Sequence, residues 1–134
     1  MGNHCETRLR VRYAETDKMG VVYHANYFIW MEIGRADYCK SVGFSYREME
    51  NEDANMAVVD ASCRYMASAR YDDEILVRTT IERLNRRLVT FAYSISNAET
   101  GEVLAEGRTV HITVDKKGRK SSIPEKYLAL LQRE

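Results

Sequence analysis

The chain of 134 residues carries 20 basic and 20 acidic side chains, so its formal net charge at pH 7 is zero. This length suits one domain, covering residues 1–134, with enough side chains to bury a hydrophobic core. The balanced charge argues against a nucleic acid or an anionic membrane surface as the partner. No stretch is long and apolar enough to span a bilayer, so a membrane span is not expected.

The N-terminal segment and the cysteines predict a cytoplasmic protein. Residues 1–10 contain no apolar run of the kind that a secretory signal requires. Cys5, Cys39 and Cys63 form no Cys-x-x-Cys pair, and their odd number favours reduced thiols over a disulfide framework. The histidines show no metal-ligand spacing, so a metal site is not expected.

The first predicted element is a half-buried strand from Thr7 to Tyr13. Leu9, Val11 and Tyr13 alternate there with arginines, and this period of two puts them together on the buried face. The loop that follows is polar and contains Gly20. A glycine in such a loop permits either a positive φ or a close approach of the backbone to another group.

A long helix is predicted after the loop. Its apolar residues cover more than one narrow stripe, which is typical of a helix that other elements bury on several sides. These residues are Phe28, Ile29, Trp30, Met31, Ile33, Ala36, Tyr38, Cys39 and Val42. Gly43 is expected to end the helix, because glycine readily takes the left-handed conformation there. A short helical turn is expected within residues 45–53.

From Met56 onward the apolar residues recur at every second position, which predicts four strands joined by turns. The residues expected to share one face of each strand are Val59, Ala61, Cys63 and Tyr65; Ile75, Val77, Thr79 and Ile81; Val89, Phe91, Tyr93 and Ile95; and Leu104, Val110, Ile112 and Val114. A short amphipathic helix with Tyr127, Leu128 and Leu131 should follow. An antiparallel sheet with one long apolar helix is an α+β arrangement, in which the sheet curls around the helix.

The loop and the start of the helix carry the pattern Asp-x-x-Gly-x-x-x-His-x-x-Tyr-x-x-x-x-Glu, formed by Asp17, Gly20, His24, Tyr27 and Glu32. This pattern resembles the hot-dog-fold acyl-CoA thioesterases, in particular the branch of 4-hydroxybenzoyl-CoA thioesterase and the Tol-Pal-associated thioesterases. The resemblance implies the hot-dog fold, with an antiparallel sheet wrapped around one long central helix. It further implies hydrolysis of an acyl-CoA thioester to a carboxylic acid and free coenzyme A, with no cofactor.

Asp17 is the predicted catalytic group. A carboxylate just before a helix lies near free backbone N–H groups and the positive end of the helix dipole, which stabilise negative charge. A loop aspartate that only caps a turn is the alternative. The resemblance implies that Asp17 attacks the thioester carbonyl or activates the water that does so. It also places a backbone N–H against the thioester oxygen, with Tyr23 and His24 as the candidates.

Three further residues, Gly20, Asn26 and Tyr27, are expected at the substrate-binding site, where they shape the acyl pocket or fix the loop. Glu32 competes with Asp17 for the catalytic role, because other hot-dog branches use a carboxylate on the helix. The Asp-x-x-Gly pattern favours Asp17 and leaves Glu32 as a structural residue.

Two basic clusters are candidates for binding the phosphates of coenzyme A. The preferred one is Arg86 and Arg87 at a predicted hairpin, and the other is residues 116–120 after the last strand. Each cluster taken alone is also typical of a solvated turn.

Three alternatives to an acyl-CoA thioesterase remain open. The first is the same hydrolysis of a thioester carried by acyl carrier protein. The second is a hydratase or dehydratase on the same fold, and the third is a non-catalytic acyl-CoA-binding protein. The resemblance implies a homodimer or homotetramer with the active site between subunits. The sequence does not indicate which acyl group is used.

Overall fold

The computed structural model describes residues 3–132. In chain order the elements are β1 (His4–Arg10), a 3-10 turn (Tyr13–Glu15), α1 (Asn26–Val42), α2 (Tyr46–Asn51), β2 (Asn55–Tyr65), β3 (Glu74–Leu84), β4 (Leu88–Asn97), β5 (Val103–Val114) and α3 (Glu125–Gln132). This order of a strand, a long helix, a short helix, four strands and a final helix is the predicted one.

The strands form one sheet in the order β1-β3-β4-β5-β2, and every neighbouring pair is antiparallel. α1 packs against β1, β3 and β4 on the inner face of the sheet. The predicted α+β arrangement of an antiparallel sheet around one long helix is therefore confirmed. No helix within residues 3–132 is long and apolar enough to cross a membrane.

A glycine allows α1 to approach the sheet closely. A Cβ atom on Gly34 would lie 2.5 Å from Thr79 Oγ1 and 2.9 Å from Val77 Cγ1. The helix therefore packs on β3 through its own backbone at this point. The larger side chains that it buries are Tyr27, Trp30, Met31, Tyr38 and Cys39.

α1 ends at the predicted residue, but one face of the helix is exposed to solvent. The helix ends at Gly43, which has a φ of 119°, and the Gly43 N–H donates to the Cys39 carbonyl. Ile29 is 44% exposed and Ile33 is 40% exposed. The expectation of burial on several sides therefore holds for the face toward the sheet and not for the face that carries these two isoleucines.

The inner faces of β3 and β4 are as predicted, but the face of β5 is wrong from residue 109 onward. Thr109, His111 and Thr113 are the buried residues there, and Val110 is only half-buried. The cross-strand register is the reason. Thr109 pairs with the buried Phe91, and directly paired residues share a face of the sheet. These core positions are thus occupied by polar side chains, which the sequence pattern would place on the exposed face.

The predicted inward position of Tyr13 is also wrong. β1 ends at Arg10, and Tyr13 begins the 3-10 turn with an exposed fraction of 77%. A side chain closes this turn, because Glu15 Oε1 accepts the Arg12 N–H at 2.8 Å.

The strand β2 covers less of the core than its pattern predicts. Val59 is 54% exposed and Tyr65 is 42% exposed. The pairing of β2 with β5 is irregular between Val58 and Asp60, and β2 is an edge strand with β5 as its neighbour. The irregularity interrupts the alternation of side chains between the two faces, and an edge strand has a neighbour on one side only. Both features leave the side chains of β2 more exposed.

Candidate active site

A small hairpin between the 3-10 turn and α1 carries the candidate site. Tyr23 N–H donates to the Glu15 carbonyl at 2.9 Å, and Asp17 N–H donates to the Val21 carbonyl at 2.8 Å. Gly20 N–H closes the tip by donating to the Asp17 carbonyl at 3.0 Å. Gly20 has a φ of +81°, and a Cβ there would meet no atom within 4 Å. Its backbone conformation therefore favours glycine, and no group of the described chain approaches this position closely.

Asp17 is the first residue of the turn at the tip of the hairpin, and its side chain is exposed. Its Oδ1 accepts Met19 N–H at 2.8 Å and Val21 N–H at 3.4 Å, so this oxygen caps the turn. Its Oδ2 has no hydrogen-bond partner within residues 3–132. One oxygen therefore orients the carboxylate, and the other is free to meet a water or a carbonyl carbon.

One of the two predicted oxyanion donors is available at the start of α1. Tyr23 N–H is engaged by the Glu15 carbonyl, so it is not free for a substrate. His24 N–H has no partner among the described residues. The His24 carbonyl, in the next peptide of the chain, accepts the Tyr65 hydroxyl at 2.8 Å and so fixes the backbone directly after this N–H. The geometry therefore favours the His24 N–H as the donor to a thioester oxygen.

A cleft of about 290 Å³ opens beside His24 and is lined by Val22, His24, Tyr27, Tyr65, Met66, Ala67 and Ser68. Tyr27 is 2% exposed, and its hydroxyl accepts the Ala69 N–H at 3.1 Å. Burial raises the pKa of Tyr27, and it raises the pKa of Tyr65 to about 12. Both phenols therefore stay neutral near pH 7, and neither serves as the base.

Asn26 ties the first turn of α1 to the hairpin. Its Nδ2 donates to the Glu15 carbonyl at 2.9 Å, and the same oxygen accepts Tyr23 N–H. Fixing the loop is one of the two roles expected for Asn26. Substrate contacts by Gly20, Asn26 and Tyr27 stay predictions.

Glu15 is a buried carboxylate next to the hairpin, and it was not predicted as a site residue from the sequence. It is 5% exposed, and its carboxylate accepts Arg12 N–H at 2.8 Å and Trp30 Nε1–H at 3.0 Å. Burial alone would raise the pKa of Glu15, but the hydrogen bonds from Arg12 and Trp30 outweigh burial and hold the pKa below its ordinary value. No local sequence pattern predicts this buried hydrogen bond, because Trp30 lies 15 positions further along the chain.

Glu32 does not line the cleft beside His24. It lines a separate cavity of about 140 Å³ with Arg35, Tyr46, Glu50, Ala54, Met56 and His111. Within one chain, Asp17 and Glu32 therefore do not share a cavity. Asp17 lines neither this cavity nor the cleft beside His24, so the choice of Asp17 over Glu32 as the catalytic carboxylate stays a prediction.

His111 lies in the wall of this second cavity as a neutral side chain. Its Nε2 is 2.9 Å from Thr109 Oγ1, whereas its Nδ1 is buried without a hydrogen-bond partner within residues 3–132. Burial and the nearby Arg35 lower the pKa of His111 to about 4.

Within the described part of the chain, no group of three His, Cys, Asp or Glu residues could hold a metal ion.

The two basic clusters meet at one end of the sheet. Ile123 N–H donates to the Arg86 carbonyl at 2.7 Å, and Thr113 N–H donates to the Arg87 carbonyl at 2.9 Å. The segment after β5 therefore lies against the β3–β4 hairpin. Between them is a basic groove of about 300 Å³, lined by Asn85, Arg87, Leu88, Ile112, Thr113, Lys120 and Ser121. Arg87 and Lys120, which come from the two alternative clusters, contribute to one surface.

The basic groove lies far from Asp17 of the same chain. Val21, in the hairpin of Asp17, forms an antiparallel β-bridge with Arg70, which lies shortly before the start of β3. Arg86 and Arg87 follow the other end of β3. This strand has 11 residues, and an extended strand rises about 3.3 Å per residue, so the two sites are roughly 30 Å apart.

Comparison with known proteins shows the family. Residues 11–131 match the model of the thioesterase-like superfamily. The chain belongs to this superfamily. A relative in Bacillus subtilis (strain 168), "Putative acyl-CoA thioesterase YneP", is 42% identical over 112 residues, which cover 84% of this chain and 80% of that protein. "Acyl-CoA thioester hydrolase YbgC" of Escherichia coli O6:H1 is 31% identical over 122 residues, which cover 90% of both.

A solved structure supports the same membership of the thioesterase-like superfamily. The DHNA-CoA thioesterase from Staphylococcus aureus superposes with a TM-score of 0.86 and is 37% identical, covering 89% of this chain and 80% of that chain. The predicted hot-dog thioesterase family and fold are therefore confirmed. Membership of the superfamily does not assign roles to single residues, so the roles of Asp17, Tyr23 and His24 stay predictions.

Proposed function

We propose that this protein is an acyl-CoA thioesterase, which hydrolyses a thioester to a carboxylic acid and free coenzyme A. The observation that carries the proposal is the hairpin before α1. Asp17, with one free carboxylate oxygen, begins the turn at its tip, and the free N–H of His24 directly follows its second arm. The relatives named as acyl-CoA thioesterases support the same reaction.

The proposed chemistry uses both groups at the thioester carbonyl. The His24 N–H donates to the carbonyl oxygen, and this hydrogen bond strengthens as negative charge develops there. Asp17 Oδ2 either attacks the carbonyl carbon or removes a proton from the water that attacks it. In both routes one water is consumed, the C–S bond breaks, and the departing thiolate of coenzyme A takes up a proton.

We also propose that the working form is a homodimer or homotetramer, with each site completed by a second subunit. The basic groove supports this, because it lies too far from Asp17 of its own chain to serve the same substrate. The edge strand β2 offers a place for a second chain, since Val58 is 49% exposed and Val59 is 54% exposed there. Light scattering that shows a fully active monomer would refute this assembly.

Location and domain organisation complete the proposal. We propose a cytoplasmic protein, because Cys5, Cys39 and Cys63 are free thiols and free thiols persist in reducing compartments. We propose a single domain, because the buried apolar residues of the described chain form one cluster that α1 shares with the sheet.

A thioester carried by acyl carrier protein is the alternative substrate, since the reacting group is the same. A thiol-reporter assay with short aliphatic, long aliphatic and aromatic acyl groups, each on both carriers, tests the proposal. We expect free thiol from acyl-CoA and a faster rate on that carrier than on acyl carrier protein. Mass analysis of the products separates hydrolysis from hydration or dehydration, which leave the thioester intact. A wild-type protein that binds acyl-CoA and releases no thiol from any of these substrates would refute the proposed function.

A further inference from the structure

We propose that Glu15 is a positioning residue for this reaction, whose buried carboxylate holds the hairpin of Asp17 against α1. The inference rests on the proposed function, because it assigns the catalytic step to Asp17. Glu15 itself touches no reacting atom in the arrangement proposed above.

The carboxylate of Glu15 joins two segments that flank the hairpin. Arg12, which precedes the hairpin, donates its backbone N–H at 2.8 Å, and its exposed guanidinium lies 3.3 Å from the second oxygen. Trp30, in α1, donates its indole N–H at 3.0 Å and is itself 1% exposed. The side chain thus links the entry to the hairpin with the second turn of α1.

The backbone of Glu15 makes a second link. Its carbonyl accepts Tyr23 N–H at 2.9 Å and Asn26 Nδ2–H at 2.9 Å, so it joins the two arms of the hairpin and the first residue of α1. Asp17 follows Glu15 by two positions, and His24 follows Tyr23 directly. A change in the orientation of Glu15 would therefore alter the placement of the Asp17 carboxylate relative to the His24 N–H.

The link requires a carboxylate and not only a side chain of this size. Two N–H donors, from Arg12 and Trp30, point at its two oxygens, and the Glu15 side chain is only 5% exposed. A glutamine has one acceptor oxygen and one donor NH₂ group. In Glu15→Gln the NH₂ group would therefore face the N–H of either Arg12 or Trp30, and that N–H would lose its acceptor. A buried donor left without an acceptor is costly, and the hairpin would shift to relieve it.

A double-mutant cycle tests the positioning role. We expect Glu15→Gln to lower kcat about tenfold to a hundredfold, since small misplacements of a catalytic group cost that much, with KM changed less than about threefold. In the Asp17→Asn background the same change should have no further effect on kcat, because there is no carboxylate left to position. An equal fall in both backgrounds, or an unchanged kcat in Glu15→Gln, would overturn the inference.

Glu52→Gln is the matched control. Glu52 is also a hydrogen-bonded carboxylate, which accepts the Tyr127 hydroxyl and pairs with Lys126 at 2.7 Å, but it joins α2 to α3. Glu52 is exposed, so we expect this variant to change stability little and to keep a wild-type kcat. A loss of kcat in Glu52→Gln equal to that in Glu15→Gln would show a general effect of removing a hydrogen-bonded carboxylate and would overturn the inference.

The fluorescence of Trp30 gives an independent readout, because Trp30 is the single tryptophan of the chain. Its indole donates to Glu15, so we expect the wild-type emission to change as acid protonates Glu15, and Glu15→Gln to lack that change. Should Glu15→Gln fail to fold, Trp30→Phe removes the indole donor, together with some buried volume, and should lower kcat in the same direction. A wild type that cleaves no thioester refutes the proposed function, whereas an active wild type with a wild-type kcat in both variants refutes only the role of Glu15.

Discussion

Ile123 N–H donates to the Arg86 carbonyl at 2.7 Å, which holds the segment after β5 against the β3–β4 hairpin. This contact places Arg87 and Lys120 in the wall of one groove, although they belong to different basic clusters of the sequence. One basic side chain from each turn thus lines the same groove. Two cations on one surface are suited to a group with several phosphates.

The first prediction concerns this basic groove. Changing Arg86 and Arg87 together to Ala should raise KM for acyl-CoA about tenfold and lower kcat less, because phosphate contacts bind substrate and transition state alike. Lys120→Ala should raise KM in the same direction, and added salt should weaken binding by the wild type. Lys117→Ala removes the same charge outside the groove and is the control. An unchanged KM in the double variant would exclude the groove as the phosphate site.

The second prediction concerns the carboxylate at the tip of the hairpin. Asp17→Asn keeps an oxygen that can accept Met19 N–H, so the turn should survive, but it removes the nucleophile or base. We expect kcat to fall by at least roughly a hundredfold with a much smaller change in KM. Glu32 lines a cavity away from the cleft beside His24, so Glu32→Gln should affect kcat much less. Steady-state kinetics that show the reverse ranking would make Glu32 the catalytic carboxylate.

The third prediction concerns the buried His111. Its pKa is lowered from 6.5 to about 4, so the folded state binds fewer protons than the unfolded state between these values. The stabilising contribution is therefore present above the unfolded pKa and is lost as the pH falls toward 4. The wild type should lose about 2 kcal/mol of unfolding free energy between pH 7 and pH 5 from this group. Urea unfolding of the wild type and His111→Gln measures it, and equal pH slopes in the two proteins would contradict the assignment.

The fourth prediction concerns the packing of α1 on β3. An alanine at an interior helix position is normally about 1 kcal/mol more favourable than glycine. At Gly34 the sign should reverse, because the added Cβ would lie 2.5 Å from Thr79 Oγ1 and 2.9 Å from Val77 Cγ1. We expect Gly34→Ala to lower the unfolding free energy by about 1–3 kcal/mol. A more stable Gly34→Ala protein in thermal or denaturant unfolding would show that the helix and the sheet can separate without cost.

The candidate site was predictable where it depends on neighbours in sequence. Asp17, Gly20 and His24 lie in one loop, so a local pattern brings them together before any fold is known. Glu15 was not predictable, because its burial depends on Trp30, which reaches it only after α1 has packed. The same limit applied to Tyr23, whose N–H is engaged by the opposite arm of the hairpin.

The sequence by itself determined the order of the elements, the inner faces of β3 and β4, the end of α1 at Gly43 and the motif that points to the family. These features follow from side-chain periodicity and from the φ that glycine permits, both of which act over a few residues. Only the tertiary structure decided that His111 is buried and that Arg87 shares a groove with Lys120. Each of these depends on strand register or on contacts between distant segments, and no short stretch of sequence contains both partners.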